Sequence, residues 1–272
     1  MKLSESINAY ISDTTLTVGN VYEKHCHTEY ELIYLLSGSV LINLEGEKIV
    51  LTERDTILIP PFSYHIVSGR ETAYRRLILS FSVEDVPDEI RPLFEKGAKA
   101  APVNRDTQLS KILSRLADAL ENGDELYRPL ARALLTESLY FFIHPESANK
   151  KSEPKGTGMI KETVAYIDAH LDRNLTVREL ATLLFCSEST LNHVFKKEMN
   201  IPIKQYVIDK RIAYAKAKLE NGIPPLECAT LCGYRNYPAF YKIFVKNTGL
   251  SPSCYATKSR KDLDNAATDV II

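Results

Sequence analysis

The stretch that decides the fold is Leu180-Ala181-Thr182-Leu183-Leu184-Phe185-Cys186-Ser187-Glu188-Ser189-Thr190-Leu191-Asn192-His193-Val194-Phe195-Lys196-Lys197. From Glu188 to Met199 the apolar side chains Leu191, Val194 and Phe195 take one side of a helix. Ser189, Asn192, His193 and Lys196 take the other. Ser187 stands at the N-cap. Upstream, Thr176 opens a helix that runs to about Leu184, and Glu179 three residues on completes a capping box. The stretch therefore reads helix, tight turn, helix.

The same pattern returns further along. Phe195, Lys197, Ile201 and Tyr206 recur as Phe244, Lys246, Leu250 and Tyr255, each 49 residues later, while Ala181 recurs as Ala229 after 48. A short helix from Pro224 to Cys232 is ended by Gly233, and Pro238 suits the first position of the next helix, which stops at Gly249. In that helix Phe240, Ile243 and Phe244 are core, whereas Tyr237, Tyr241 and Lys242 face out. Arg235 lies just before it. Gly233 supplies the turn of the second copy; Phe185 occupies the equivalent place in the first. A long helix over residues 203–221 joins the copies, and Ile160–Leu171 forms a further helix before them.

Charge follows the same division. Residues 1–154 hold 17 Lys and Arg against 23 Asp and Glu, and residues 155–261 hold 17 against 9. An acidic block followed by a basic block points to a polyanionic partner for the second half alone. Repeated helix-turn-helix units in a basic segment indicate DNA binding, with Ser189, Asn192, His193, Lys196, Arg235, Tyr237, Tyr241 and Lys242 as the DNA-binding candidates. Amides and hydroxyls read base edges and lysines hold phosphates. A plain helical bundle would need neither the charge split nor the polar outer faces.

These residues resemble the AraC/XylS family of bacterial transcriptional regulators. The resemblance is carried by Leu180-Ala181, Ser187, Leu191, Phe195-Lys196-Lys197, Pro202, Tyr206, Arg211-Ile212, Ala215, Leu219, Ala229, Gly233-Tyr234, Phe240, Phe244, Lys246, Gly249-Leu250-Ser251-Pro252 and Tyr255. It implies two recognition helices held by a long linker helix and entering successive major-groove segments about 34 Å apart. It also implies an activator with RNA polymerase as a partner. The chain departs from the family at Pro238-Ala239, where a Ser and an aromatic residue are usual, and at Leu226 and Cys228, where isoleucines are usual.

The N-terminal half reads as strands between residues 14 and 82. Candidate strands are Glu31–Ser37, Val40–Leu44, Lys48–Leu51, Ile57–Ile59 and Arg76–Phe81, with a hairpin loop at Glu45-Gly46-Glu47. Two leucine-striped helices follow, over 109–120 and 126–142. The stretch 145–158 has no large apolar residue and reads as a linker. The expected organisation is α+β in two domains. Residues 1–145 form a β-barrel sensor with a helical pair, 146–158 a linker, and 159–258 an all-α DNA-binding domain. The leucine stripes suggest homodimerisation through helices 106–143.

Gly19, His25, His27, Glu31 and Gly38 stand at the spacing of the first cupin motif, and Asp55, Pro60 and His65 follow a weaker second one. The resemblance to the cupin superfamily implies a small β-barrel. His25, His27 and Glu31 differ by even numbers, so a regular strand puts them on one face. His65 would join them from a later strand. These four are the effector-binding candidates, for a small molecule such as a sugar. They line the pocket directly or hold a divalent transition metal. Tyr22, Tyr30, Tyr34 and Tyr64 could stack on such a ligand or be filler.

Other functions compete. A metal-dependent cupin enzyme with a helical appendage would explain the histidines but not the repeat, and an architectural DNA binder would explain the repeat but not the cavity. The chain shows no nucleophile constellation and no phosphate loop, so no enzyme is expected. The five cysteines are too sparse for a disulfide framework. Cys186, Cys228 and Cys232 suit packing, and no further ligand completes a zinc site around them. No membrane span or signal peptide is evident, so a cytoplasmic protein is expected.

Overall fold

The computed structural model describes residues 7–14, 26–69, 73–95, 103–123, 126–143 and 158–257. The chain divides into two compact units, Leu3–Pro154 and Lys155–Ile272. The first holds strands β1 (Asn8–Thr14), β2 (Tyr30–Ser37), β3 (Ser39–Leu44), β4 (Glu47–Thr52), β5 (Thr56–Ile59), β6 (His65–Gly69) and β7 (Tyr74–Phe81). Helices α1 (Arg91–Glu95), α2 (Thr107–Glu121) and α3 (Tyr127–Ile143) follow. The strands form two antiparallel sheets, in the orders β1-β7-β2-β5 and β4-β3-β6.

Strand β2 lies inside its sheet and is buried on both faces. Ile33 and Leu35 point between the sheets, into a core with Val40, Ile42, Leu51, Ile57 and Val67. Tyr30, Leu32 and Tyr34 point the other way, into a second core with Leu77, Leu79, Leu113, Leu116 and Leu135. The helix pair is therefore the outer wall of the β unit. Its leucine stripes are mostly spent on that wall; Leu126 and Tyr140 remain exposed.

This two-sided burial corrects one expectation. Tyr30 and Tyr34 do not face the space between the sheets. The Tyr30 hydroxyl donates to the Phe94 carbonyl at 2.8 Å, and the Tyr34 hydroxyl lies 2.8 Å from Ser110 Oγ and 3.0 Å from Ser114 Oγ. Even positions on β2 belong to the helix side and odd ones to the inner side. Strand β1 was not expected, and β6 is the later strand expected to bring His65. Tyr22 falls outside the described residues.

Two turns set the register. Leu44 pairs with Glu47, leaving Glu45 and Gly46 as a two-residue loop at φ 49° and 84°, the mirror-image turn that suits strand twist. Gly38 turns β2 into β3 at φ 85°, and a Cβ there would sit 2.7 Å from the Ala73 carbonyl oxygen.

The second unit holds α4 (Gly158–Ala169), α5 (Val177–Leu183), α6 (Glu188–Met199), α7 (Ile203–Glu220), α8 (Pro225–Leu231) and α9 (Tyr237–Thr248). Gly158, expected in the linker, is the first residue of α4; the rest of 146–158 falls outside the described residues. Ser187 caps α6 by accepting from the Thr190 amide at 3.0 Å. Half of the expected capping box on α5 forms. Thr176 accepts from the Glu179 amide, but the Glu179 carboxylate turns to the Tyr166 hydroxyl at 2.8 Å and to Arg173 at 2.7 Å. Pro238 is the second residue of α9, not the first, behind an Asn236 cap.

Helix α7 is about 27 Å long at 1.5 Å per residue. Near its start the Tyr206 ring meets Phe195 of α6 at 5.4 Å. Near its end Ile212, Ala215 and Leu219 pack with Cys228, Ala229, Cys232, Phe240 and Phe244. Between them Lys210, nearly buried, pairs with Asp168 of α4 at 2.9 Å. Arg211 donates to the Leu171 carbonyl at 3.1 Å and lies 5.3 Å from the Tyr234 ring. The turns of the two helix-turn-helix units differ. Phe185 holds φ 51° with its side chain 98% exposed. Gly233 holds φ 73°, where a Cβ would run into the Leu171 carbonyl oxygen and Arg211.

Tyr34→Phe tests the placement of that hydroxyl. Two serine hydroxyls lose a partner inside a closed interface, at a cost of about 1–2 kcal/mol. The urea transition of the N-terminal unit, followed by circular dichroism, should shift down accordingly. An unchanged midpoint would place the hydroxyl in solvent.

Candidate functional site

Three of the expected sensor residues meet. His27 Nε2 lies 3.1 Å and His65 Nε2 3.0 Å from the same oxygen, Oε2 of Glu31, and the two rings contact edge to face at 5.1 Å. His65 is fully buried, Glu31 nearly so, and His27 partly exposed. His25 lies outside the described residues.

The route to this cluster differs from strand parity. Glu31 does point inward from β2, but His27 precedes the strand and returns through a bend at 28–29. Its Nδ1 lies 2.8 Å from the Glu29 carbonyl, and its own carbonyl accepts from the Phe62 amide at 2.8 Å. His65 opens β6, with Nδ1 3.0 Å from the Ser63 carbonyl. Glu45 clamps the approach to His65: its carboxylate accepts from the Tyr64 amide at 2.7 Å, and its amide donates to the Tyr64 carbonyl at 2.9 Å. Glu45 and Phe62, both at positive φ, were not sequence candidates.

The polarity of these bonds decides the chemistry. A carbonyl only accepts, so each Nδ1 carries a proton. Each Nε2 then faces a carboxylate oxygen with either a second proton or a bare lone pair. A carboxylate between lone pairs is repelled, so protons or a cation must lie between them. Burial disfavours charge on His27, but the hydrogen bond and negative charge of Glu31 override it and hold its pKa above the ordinary value. Burial would likewise raise Glu31; the bonds and charges of His27 and His65 win and lower it.

The same three residues could hold a metal ion. Imidazole and carboxylate donors with metal bonds near 2.0–2.2 Å stand roughly 2.9–3.4 Å apart in octahedral or tetrahedral sites. The donor atoms of His27, Glu31 and His65 all lie within 4.8 Å of one another. Histidine ligands commonly donate their other nitrogen to a backbone carbonyl, as both do here.

Tyr10 and Arg76 also bear on this region. Burial raises the Tyr10 pKa, the charge of Glu31 adds to the rise, and that of Arg76 opposes it. Arg76 is buried within β7. A cation beginning the apolar run Arg76-Leu77-Ile78-Leu79 was the signal that could have found it.

In the second unit Ser189, Asn192, His193 and Lys196 are all exposed on α6, opposite buried Leu191 and Phe195. The Asn192 amide donates to the Glu188 carbonyl of its own helix at 2.9 Å. Arg235, Tyr241 and Lys242 are exposed, whereas Tyr237 is half-buried, its ring 6.0 Å from Phe240. Cys228 and Cys232 are buried in the core beneath α9. No described helix is long and apolar enough to cross a membrane.

Comparisons with known proteins match both units. Residues 17–139 match the family model of an AraC-like ligand binding domain, and residues 180–258 match a helix-turn-helix domain. The probable transcriptional regulator LumQ of Photobacterium leiognathi is 35% identical over 89% of this chain and 94% of its own. The arabinose operon regulatory protein of Salmonella typhimurium is 25% identical over 82% of each chain. Among solved structures, ToxT from Vibrio cholerae is 12% identical, with a TM-score of 0.41 over 94% of this chain and 100% of that one.

The pH dependence of stability tests the cluster in metal-free protein. A raised His27 pKa contributes stability that is complete below about pH 6.5 and lost as pH rises through the folded value. A lowered Glu31 pKa contributes stability that is complete above about pH 4.5 and lost as pH falls. The N-terminal unit should be most stable between those limits, and Glu31→Gln should flatten both limbs. Superimposable urea midpoint profiles for the two proteins would remove the coupling.

Proposed function

Because the chain belongs to the AraC family of transcriptional regulators, we propose that α6 and α9 read double-stranded DNA and that the cluster around Glu31 senses a small-molecule effector. The observation that carries the DNA reading is the paired construction of the second unit. Each recognition helix is capped, buried on one side and exposed on the other, and α7 packs against both helix-turn-helix pairs.

The roles differ by chemistry. Ser189, Asn192 and His193 meet base edges, while Lys196, Arg235 and Lys242 hold phosphates. Tyr237 braces α9 and Tyr241 meets the groove. Asn192→Ala is expected to lose sequence preference, by about 1–3 kcal/mol of discrimination. Lys196→Ala should weaken all duplexes alike and reduce the salt slope of binding by about one. Titrations of specific and random duplexes at several salt concentrations check this. Equal losses on both duplexes for both variants contradict the assignment.

In the sensor unit, His27, Glu31 and His65, with His25 as the fourth candidate from the sequence, contact the effector directly or through a divalent transition metal. The single oxygen facing two imidazole nitrogens is compatible with either. Cobalt(II) added to metal-free full-length protein should give a visible ligand-field spectrum that His27→Ala and Glu31→Gln each abolish. A featureless titration of the unmodified protein rejects the metal. If the two variants also leave a reporter gene's effector response unchanged, the pocket role falls as well. A sugar remains the sequence-based expectation for the effector.

Further parts of this reading rest on family membership. The protein acts in the cytoplasm as a regulator and not as an enzyme. It contacts RNA polymerase as an activator. On the leucine stripes over 106–143, and not on the family, rests a homodimer through α2 and α3; Tyr140 on α3 and Leu126 just before it are exposed. Light scattering that gives a monomer, free and on DNA, rejects the dimer.

A further inference from the structure

The two recognition helices do not present the same chemistry. The 49-residue repeat aligns their outer positions one by one: Ser189 with Pro238, Asn192 with Tyr241, His193 with Lys242, and Lys196 with Val245. On α6 all four are exposed and polar. On α9 a hydroxyl has become proline, an amide has become tyrosine and an ammonium has become valine. Pro238 and Ala239 are exposed, Tyr241 is 44% exposed and Val245 half-buried. At 100° per residue, Tyr241, Val245, Pro238, Lys242, Lys246 and Ala239 fall on one continuous arc opposite Phe240 and Phe244.

Nearby amides do not restore the lost capacity. Asn236 is engaged as the cap, accepting from the Ala239 amide at 2.9 Å, and Asn247 falls beside Phe240 at 100° per residue, off this arc. Lys242 and Lys246 at the helix and Arg235 before it are charges suited to phosphates. The hydrocarbon of Pro238, Ala239, Val245 and the Tyr241 ring cannot read a donor–acceptor pattern. The major groove offers it one apolar feature, the C5-methyl group of thymine.

We propose that α9 reads thymine by its methyl group, through Pro238, Ala239, Tyr241 and Val245, while α6 reads hydrogen-bonding edges. The two halves of a binding site are then recognised by different chemistry. This rests on the DNA-reading role of the second unit proposed above.

The test uses full-length protein and duplexes selected by it from a random-sequence pool. The half read by α6 is identified as the one whose preference changes in Asn192→Ala. Each thymine is then replaced by deoxyuridine, which lacks only the methyl group. In the other half, each contacted methyl should cost about fourfold in affinity, the worth of one buried methyl. Ala239→Gly and Val245→Ala, checked for unchanged helicity, should each shrink that penalty. Thymine replacement in the α6 half should have no such dependence on these two variants. Uracil bound as tightly as thymine in the α9 half, or no thymine preference there, overturns the proposal and leaves DNA reading intact. A pool that yields no enriched sequence overturns both.

Discussion

A strand that must bury both of its faces dictates the layout of the N-terminal unit. Odd positions of β2 fill the space between the sheets and even positions seat the helix pair, so neither face can be left to solvent. One consequence is energetic: the apolar side chains of a single strand contribute to two cores, and slipping it by one residue would exchange both sets at once. The other is chemical. Glu31 is the odd residue at the end of the inner face, which brings a carboxylate into a low-dielectric space where only opposite charge or hydrogen bonding makes it tolerable.

The cluster around Glu31 is consequently a product of main-chain geometry as much as of side-chain identity. The bend that returns His27, the Phe62 amide that pins it and the reciprocal clamp of Glu45 on Tyr64 all act through backbone groups. Carbonyl oxygens at Glu29 and Ser63 orient the two imidazoles toward one oxygen. Ring orientation is thereby fixed before any ligand arrives, which lowers the ordering cost of binding.

Much of this was legible in the sequence. Leucine stripes located α2 and α3, and caps, prolines and glycine stops bounded most of α5 to α9. The N-caps Ser187 and Thr176 formed as read. What escaped was set by tertiary competition. Glu179 left its capping role because Tyr166 and Arg173 offered stronger partners. Strand β1 was missed because Asn8-Ala9-Tyr10-Ile11-Ser12-Asp13-Thr14 is held chiefly by pairing to β7, not by a strong pattern of its own. The convergence of His27 with Glu31 was expected from parity, and a bend achieves it instead. Tyr30 and Tyr34 showed that an aromatic near a cavity motif says little until the face it occupies is known.

The turns of the two helix-turn-helix units carry an asymmetry. At Phe185 the left-handed backbone conformation disfavours a β-carbon, yet the side chain stands in the open, so the cost is a modest conformational one that substitution can change but not make prohibitive. At Gly233 the backbone of another turn and the guanidinium of Arg211 fill the place a side chain would need. The repeated pattern thus leaves its first turn open to substitution and closes its second.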